Sequence, residues 1–365
     1  MRGVAGRIVL FGATGFTGQL VARALVARGA APVLAARSQA RVEALAAQLG
    51  GLDFAVADVA RPATVRALVA AGDVLVSTVG PFARWGEPAL RAAIDAGAHY
   101  LDSTGEPSFI RTVFDRHGAD AAAAGVGLLT AFGYDYVPGN LAGALALREA
   151  GEAAVSVDVG YFVGGSGARA SGGTQASAAG MLAEPAYTFA GGRLVTERTA
   201  RRVHGFDGRP AVSIGATEQF GLPRVYPEVR DVRVWLGWFG PASRPLQALS
   251  AATAAATKLP GVRGAIGAAT SRLVKGSTGG PDAASRARTR SHIVAVASDG
   301  AGTPLVTVRL EGENPYDFTG GVLAWGAMAV AAGGLRGDGA LGPVEAFGLD
   351  ELQAGVAQAG IARRD

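Results

Sequence analysis

Cysteine is absent from the 365 residues, and the four histidines, His99, His117, His204 and His292, are not spaced for joint ligation on a helix. Zinc-finger, iron–sulfur, thiol-redox and cysteine-nucleophile chemistries are thereby excluded, and no metal site is expected. Lysine is almost missing too: only Lys258 and Lys275 stand among the 34 basic residues, and the rest are arginine. The residues four positions before them are Ala254 and Ser271, so a Tyr-x-x-x-Lys dyad and imine-forming lysine chemistry are not expected. Charge is sparse, with 18% charged residues, a net charge of +4 and 49% hydrophobic residues. That balance describes a globular chain with core enough for about two domains, not a disordered one. The arginine bias reads as a GC-rich, bacterial genome. Met1 to Gly6 is followed at once by the strand-like Arg7-Ile-Val-Leu-Phe11, which leaves no room for a signal peptide and makes a cytoplasmic enzyme the expectation. The longest uncharged run, Phe318 to Leu335, carries five glycines and reads as a buried helix, not a membrane span.

What is present is rhythm. In the first third, short β-branched runs alternate with helical patterns, the signature of βαβ units on a parallel sheet. Six strands are predicted: Ile8–Phe11, Pro32–Ala36, Phe54–Ala57, Val74–Thr78, His99–Asp102 and Val126–Ala131. After about residue 136 the strands lengthen and alternate. Val155, Val157, Val159, Tyr161 and Val163 share one face, and two runs flank the turn Asp299-Gly300 as a hairpin. Helical patterns fall at Gly173–Leu182, Leu246–Lys275, Phe318–Ala332 and Leu349–Ala359. The fold class is therefore α/β: an N-terminal doubly wound parallel sheet of Rossmann type, plus a second α+β domain with a largely antiparallel sheet. The boundaries are 1–135 for the dinucleotide-binding domain, with the C-terminal helix 340–365 as a candidate to complete it. Residues 136–339 are the substrate-binding and dimerisation domain.

The most informative motif is Gly12-Ala13-Thr14-Gly15-Phe16-Thr17-Gly18, directly after the first strand and at the start of the first helix. Glycines there permit a tight turn, bring backbone amides to a pyrophosphate and let the helix pack on the sheet, while the helix N-terminus stabilises negative charge. A purely structural turn is the alternative. At the end of the second strand, where an acid would hold the ribose hydroxyl of NAD, stands Arg37-Ser38. A guanidinium beside a hydroxyl suits a 2′-phosphate, which favours NADP(H), although Arg37 also fits a solvated loop charge and Ser38 a helix N-cap. Asp58-Val59, after the third strand, is placed toward the adenine, and Thr78-Val79-Gly80-Pro81, after the fourth, toward the nicotinamide half. After the fifth strand, Asp102-Ser103-Thr104-Gly105-Glu106 also qualifies for the nicotinamide side, although Ser103 and Glu106 read more readily as a capping box for the helix through Ile110 and Val113. After the sixth come Tyr134, Asp135 and Tyr136, candidate proton donors, with a hinge opened by Pro138 as the plain alternative.

With these residues in view, the Gly-rich turn, the Val79-Gly-Pro-Phe82 segment running into Trp85-Gly-Glu-Pro88, and Ala96-Gly-Ala-His-Tyr-Leu-Asp-Ser-Thr-Gly-Glu106 resemble the saccharopine dehydrogenase-like oxidoreductases. Gly133-Tyr-Asp-Tyr-Val-Pro138, Ser171-Gly-Gly-Thr174 and Asn314-Pro-Tyr-Asp317 are similar to later segments of that family, in particular of the trans-acting enoyl reductases and the bacterial saccharopine dehydrogenase-like proteins. The resemblance implies an NADP-linked hydride transfer to or from a C=N or conjugated C=C bond, on a small or carrier-bound substrate held between the domains. Thr174 becomes a candidate for holding a substrate oxygen or carboxylate. The lysine- and histidine-rich site of lysine-forming saccharopine dehydrogenases is missing, which argues against saccharopine itself.

Val232 to Pro281 contains no Asp or Glu, whereas Arg233, Arg244, Lys258, Arg263, Arg272 and Lys275 are all basic. Such a stretch suits a peripheral contact with a carrier protein or an anionic membrane, and equally a solvated helix pair beside a homodimer interface. Nucleic acid is not an expected partner, since the charge is diffuse and no recognition motif accompanies it. A non-catalytic NADP-binding module associated with a membrane or partner is the rival to an enzyme.

Overall fold

The computed structural model describes residues 6–166, 184–256 and 279–364. By its internal contacts the chain divides into two units. The first comprises Met1–Thr104, Arg111–Asp135 and Pro315–Gly360, and the second Gly105–Ile110, Tyr136–Asn314 and Ile361–Asp365.

The first unit is built on β1 (Ile8–Phe11), β2 (Val33–Ala36), β3 (Phe54–Val56), β4 (Val74–Ser77), β5 (His99–Asp102) and β6 (Gly127–Leu129). All pairings are parallel, in the order β6-β5-β4-β1-β2-β3, with Gly339–Ala340 added beside β6. β1 and β4 are buried along their whole length, which explains their unbroken apolar runs: strands covered on both faces have no polar side to alternate with. The order reverses between β1 and β4, so the carboxyl ends of those two strands flank the natural ligand crevice of such a sheet. The first helix, α1 (Phe16–Ala27), follows β1, and α2 (Gln39–Gln48) follows β2.

The helix Pro315–Ala331 packs against α1 and against β1, β4 and β5. Gly320 allows the approach to α1, because a Cβ there would stand 3.0 Å from that of Leu20. Phe318, Val322, Leu323 and Ala327 are fully buried, so the long uncharged run is here a helix inside the first unit. Its place differs from the division at 135/136–339, which assigned it to the second domain; its all-round apolar surface fits the covering layer of a parallel sheet. Among the described residues, no helix is long and apolar enough to cross a membrane.

The second unit holds a mixed sheet of β7 (Ser156–Gly164), β8 (Pro185–Ala190), β9 (Arg193–Arg198), β10 (Val203–Phe206), β11 (Arg209–Ile214), β12 (Asp231–Leu236), β13 (Arg290–Ser298) and β14 (Pro304–Gly312). Its path is β10-β11-β12-β7-β13-β14 and then Ile361–Arg363, with β8 beside β12 and β9. Only β12 and β7 run parallel; the rest are antiparallel, including the predicted hairpin, whose register passes through Val294↔Arg309 and Val296↔Thr307. Val157, Val159 and Tyr161 project from β7 to the helix Val137–Ala150, which is buried over most of its length.

Candidate cofactor site and carboxyl edge

At the end of β1 the chain turns through Gly12, whose φ of +89° is one that glycine adopts without strain. The Gly12 and Ala13 amides both donate to the Ala35 carbonyl, at 2.8 and 3.1 Å, and the Gly15 amide donates back to Gly12 at 2.9 Å. A Cβ at Gly12 would lie 2.7 Å from Thr78 Oγ1 and 2.9 Å from Val79 Cγ2, and one at Gly18 would lie 2.2 Å from the Gly12 carbonyl oxygen. Gly12 and Gly18 thus have no space for a side chain, and the turn brings Thr78 and Val79 against Gly12. Thr78 closes the underside, its hydroxyl donating to the Phe11 and Gly12 carbonyls at 3.2 Å each. Gly15 occupies the N-cap position of α1 and no side chain caps that turn. Phe16 meets Tyr316 edge-on, with ring centroids 5.2 Å apart, and Thr17 follows in the first helical turn. The arrangement has what a pyrophosphate site requires: backbone approach without Cβ atoms at Gly12 and Gly18, at the positive end of a helix dipole.

The edge of β2 holds the second group of candidate residues. Arg37 is exposed and, among the described residues, makes no ion pair. Ser38 does occupy the N-cap position of α2 with an extended backbone, but its hydroxyl makes no capping bond and stays available to a ligand. Sequence reasoning missed Arg41. From the first turn of α2 its guanidinium reaches back to donate to the Thr14 carbonyl at 3.1 Å, which Gln19 also approaches at 3.3 Å. The signal was available in the spacing, because Arg37 and Arg41 lie four residues apart across the start of a helix. Asp58 uses its carboxylate locally, accepting from the Ala60 amide at 3.0 Å, while its own amide meets Thr64 Oγ1; Val59 lies within that turn. Beyond β4, Gly80 and Pro81 are joined by a cis peptide. The fit to NADP(H) therefore rests on a glycine cradle that any Cβ would fill and on a cation without an acidic partner where an NAD site would place an acid.

The carboxyl ends of β5 and β6 are different in kind. Asp102, fully buried, accepts bonds from the Thr104 amide, the Ala131 amide and the Thr130 hydroxyl. Burial pushes its carboxyl up to about 6, and those bonds, with the Tyr100 hydroxyl, oppose the rise. In the segment after β6, Tyr134 is 2% exposed and sits edge-on to Phe318 at 6.4 Å. Tyr136, equally buried, precedes the helix Val137–Ala150, donates to the Gly105 carbonyl at 3.3 Å and meets Tyr161 edge-on at 5.6 Å. Asp135, between them, is half-buried and makes no hydrogen bond or ion pair among the described residues; burial alone pushes its carboxyl up to about 7. Unlike Asp102, whose carboxyl is tied up by its hydrogen bonds, it combines a proton poised to move near neutral pH with no partner among the described residues.

In the second unit, a buried cluster that sequence reasoning also missed surrounds the start of the helix Val137–Ala150. Tyr161 donates to Glu218 Oε1 at 2.6 Å and receives the Gly139 amide at 2.9 Å, and Asn140 donates to Thr217 Oγ1 at 2.9 Å.

Two expectations are corrected. The Ser103/Glu106 capping box does not form, because the helix begins at Pro107 and the Glu106 carbonyl accepts from the amides of Phe109 and Ile110. Proline at the first helical position disfavours helical backbone at the residue before it, so Glu106 ends the loop instead of lying inside the helix. Arg233, read as part of a free basic stretch, is tied to Asp158 at 3.2 Å and to Asp231 at 3.5 Å, carboxylates that β-pairing and the strand itself supply. Thr174, the helical pattern at Gly173–Leu182, and Lys258, Arg263, Arg272 and Lys275 lie outside the described residues.

Comparison with known proteins agrees with this geometry. Residues 8–128 match the family model of the saccharopine dehydrogenase NADP binding domain. Over 140 residues, the chain is 41% identical to the trans-acting enoyl reductase of Mycobacterium leprae and 39% identical to that of Mycobacterium ulcerans, matches that cover 37% of this chain and 34% of each relative. It thus aligns with about a third of the length of the curated relatives it matches. Among solved structures, the apo saccharopine dehydrogenase (L-Glu forming) of Saccharomyces cerevisiae aligns with 98% of this chain and 99% of its own, with a TM-score of 0.57 and 15% identity, which establishes likeness of fold. The saccharopine dehydrogenase-like resemblance read from the motifs, the Rossmann class of the first unit and NADP(H) as its cofactor are borne out.

Proposed function

We propose, from the premise that residues 8–128 are an NADP-binding domain of saccharopine dehydrogenase type, that the protein is an NADP(H)-dependent oxidoreductase reducing a conjugated C=C bond of an acyl thioester, free or carrier-bound. The observation that carries this reading is Asp135: a carboxyl without a partner among the described residues, near half-protonated at neutral pH, on the segment beyond β6. The cofactor supplies hydride. The chain's own tasks are then to bind it, to orient it and to deliver one proton. Gly12, Thr14, Gly15, Phe16, Thr17 and Gly18 receive the pyrophosphate, Arg37 and Ser38 the 2′-phosphate with Arg41 beside them, Asp58-Val59 the adenine side, and Thr78 to Pro81 the nicotinamide half. Reduction of the conjugated bond at its β-carbon would leave the α-carbon in need of one proton, which Asp135 would supply. Tyr134 and Tyr136, whose rings are packed against Phe318 and Tyr161, hold this segment on either side. The second unit, with Thr174, is the substrate-binding one. The enoyl preference is taken from the mycobacterial relatives; a C=N acceptor is the second reading, favoured by the family of the matched domain.

The test follows NADPH absorbance with the N-acetylcysteamine thioester of crotonic acid and with a cyclic imine, next to NADPH binding by fluorescence. Turnover of the thioester supports the proposal, and turnover of the imine alone moves it to the second reading. Tight NADPH binding with neither substrate consumed would leave the non-catalytic module as the better account.

A further inference from the structure

Asp102 takes no part in the chemistry just described, yet it is the most heavily hydrogen-bonded side chain at this edge of the sheet. Its Oδ1 accepts the amides of Thr104 and Ala131, each at 2.9 Å, its Oδ2 accepts the Thr130 hydroxyl at 2.8 Å, and its backbone carbonyl accepts the Phe132 amide at 2.7 Å. These bonds reach past the end of the ladder. β5 and β6 are already paired through Tyr100↔Leu128 and Leu101↔Leu129, whereas Asp102 grips residues 130 to 132, beyond the last strand residue. Among them Ala131 has a φ of 55°, a left-handed conformation that an L-residue keeps only where its surroundings impose it.

A second anchor follows. The Tyr134 amide donates to Thr319 Oγ1 at 3.0 Å, the same hydroxyl donates to the Pro315 carbonyl at 2.6 Å, and a Cβ on Gly133 would stand 3.0 Å from Thr319 Cγ2. Asp135 is the next residue. Burying a carboxylate in order to bond two amides and a hydroxyl is a costly way to join two strands that are joined already.

We propose that Asp102 is a positioning residue: by fixing Ala131 in its left-handed conformation it sets where the Asp135 carboxyl stands, without touching cofactor or substrate. The functional meaning rests on the reading of Asp135 as proton donor. The clamp itself is testable apart from it.

The experiment is a carboxyl ¹³C NMR titration of Asp135 in the full chain, together with amide exchange over residues 131–135. Asp102→Asn preserves the geometry, since its oxygen still accepts two amides and its NH₂ donates to a Thr130 hydroxyl turned to accept. It should leave the Asp135 midpoint near that of the wild-type chain and the amides protected. Asp102→Ala should lower the midpoint by about one pH unit or more, toward the ordinary carboxylate range, and speed exchange about tenfold. If that variant does not fold, Thr130→Val, which removes one bond at nearly constant volume, should give smaller changes of the same sign. An unchanged midpoint in whichever of the two folds, or a shift in Asp102→Asn equal to that in Asp102→Ala, overturns the clamp. Wild-type turnover of the thioester by Asp135→Asn overturns the donor assignment and leaves the clamp to be judged on its titration.

Discussion

The two halves of the parallel sheet's carboxyl edge are made by opposite means. Around β1 and β2 the groups that matter are backbone amides and exposed cations: Gly12 with no space for a side chain, Arg37 in solvent, Arg41 lying over the turn. Around β5 and β6 they are carboxyls withdrawn from water, Asp102 held by two amides and a hydroxyl and Asp135 by no donor among the described residues. Affinity for a charged, rigid cofactor needs preset amides and accessible positive charge, whereas proton transfer near pH 7 needs an acid whose ionised form is disfavoured. Under the function proposed above, the contrast is between a binding end built by geometry and a reacting end built by desolvation.

If that division is right, substitutions at the two ends should separate kcat from cofactor affinity. The largest effect is expected from Asp135→Asn, which should lower kcat by about 10² to 10⁴ while NADPH titrates as in the wild type; Tyr134→Phe and Tyr136→Phe should stay within about tenfold of wild-type turnover. A tyrosine variant as impaired as Asp135→Asn would move the proton donor to a phenol and blur the contrast. Next, Gly15→Val should weaken NADPH by about a hundredfold or more in a protein that still folds, because a branched side chain fills the space over the turn; fluorescence titration and circular dichroism check the two parts. Arg37→Asp should cost NADP(H) about 1 to 3 kcal/mol and spare NAD(H), and equal losses for both cofactors would mean that Arg37 selects nothing.

The smallest effect is one of pH. Asp102 is raised by burial from 3.8 to about 6, so between those values the native state binds more protons than the unfolded chain and this residue's contribution to stability declines as pH rises. The decline is complete a little above pH 6. Asp102→Asn removes it, so the stability of the variant relative to wild type should improve by about 2 kcal/mol from pH 4 to pH 7, most of the roughly 3 kcal/mol that two pKa units represent. Denaturant melts at the two pH values measure it, and parallel pH dependences would place Asp102 in a more polar setting than the structure shows.

What the sequence made legible follows the same line. The Gly-rich turn, all six strand starts of the first unit to within a residue, and the Asp299-Gly300 hairpin are local patterns, written in consecutive residues. The assignment of the helix Pro315–Ala331 to the first unit is not local, since nothing within it tells which sheet its apolar surface will cover. The strand Gly339–Ala340 has two residues and no alternation to detect. In the sequence, position alone singles out Tyr134, Asp135 and Tyr136, and what distinguishes Asp135 from its flanking tyrosines is the depth and partnering of three side chains, a property of the folded edge. Arg41 was within reach: a second arginine one helical turn after the first, opposite the glycine turn. The capping box failed because a proline outranks a favourable pair of polar residues.

The chain leaves the first unit after Asp135 and returns to it only at Pro315. During synthesis β1 to β6 therefore emerge well before the helix that covers β1, β4 and β5. At about 5–20 residues per second the wait is on the order of 10 to 40 s. Throughout that interval an apolar face meant for Phe318, Val322 and Leu323 is open to water and to other nascent chains. Chaperone demand in the cell, and the aggregation of any fragment ending before residue 315, follow from the order in which this polypeptide is written.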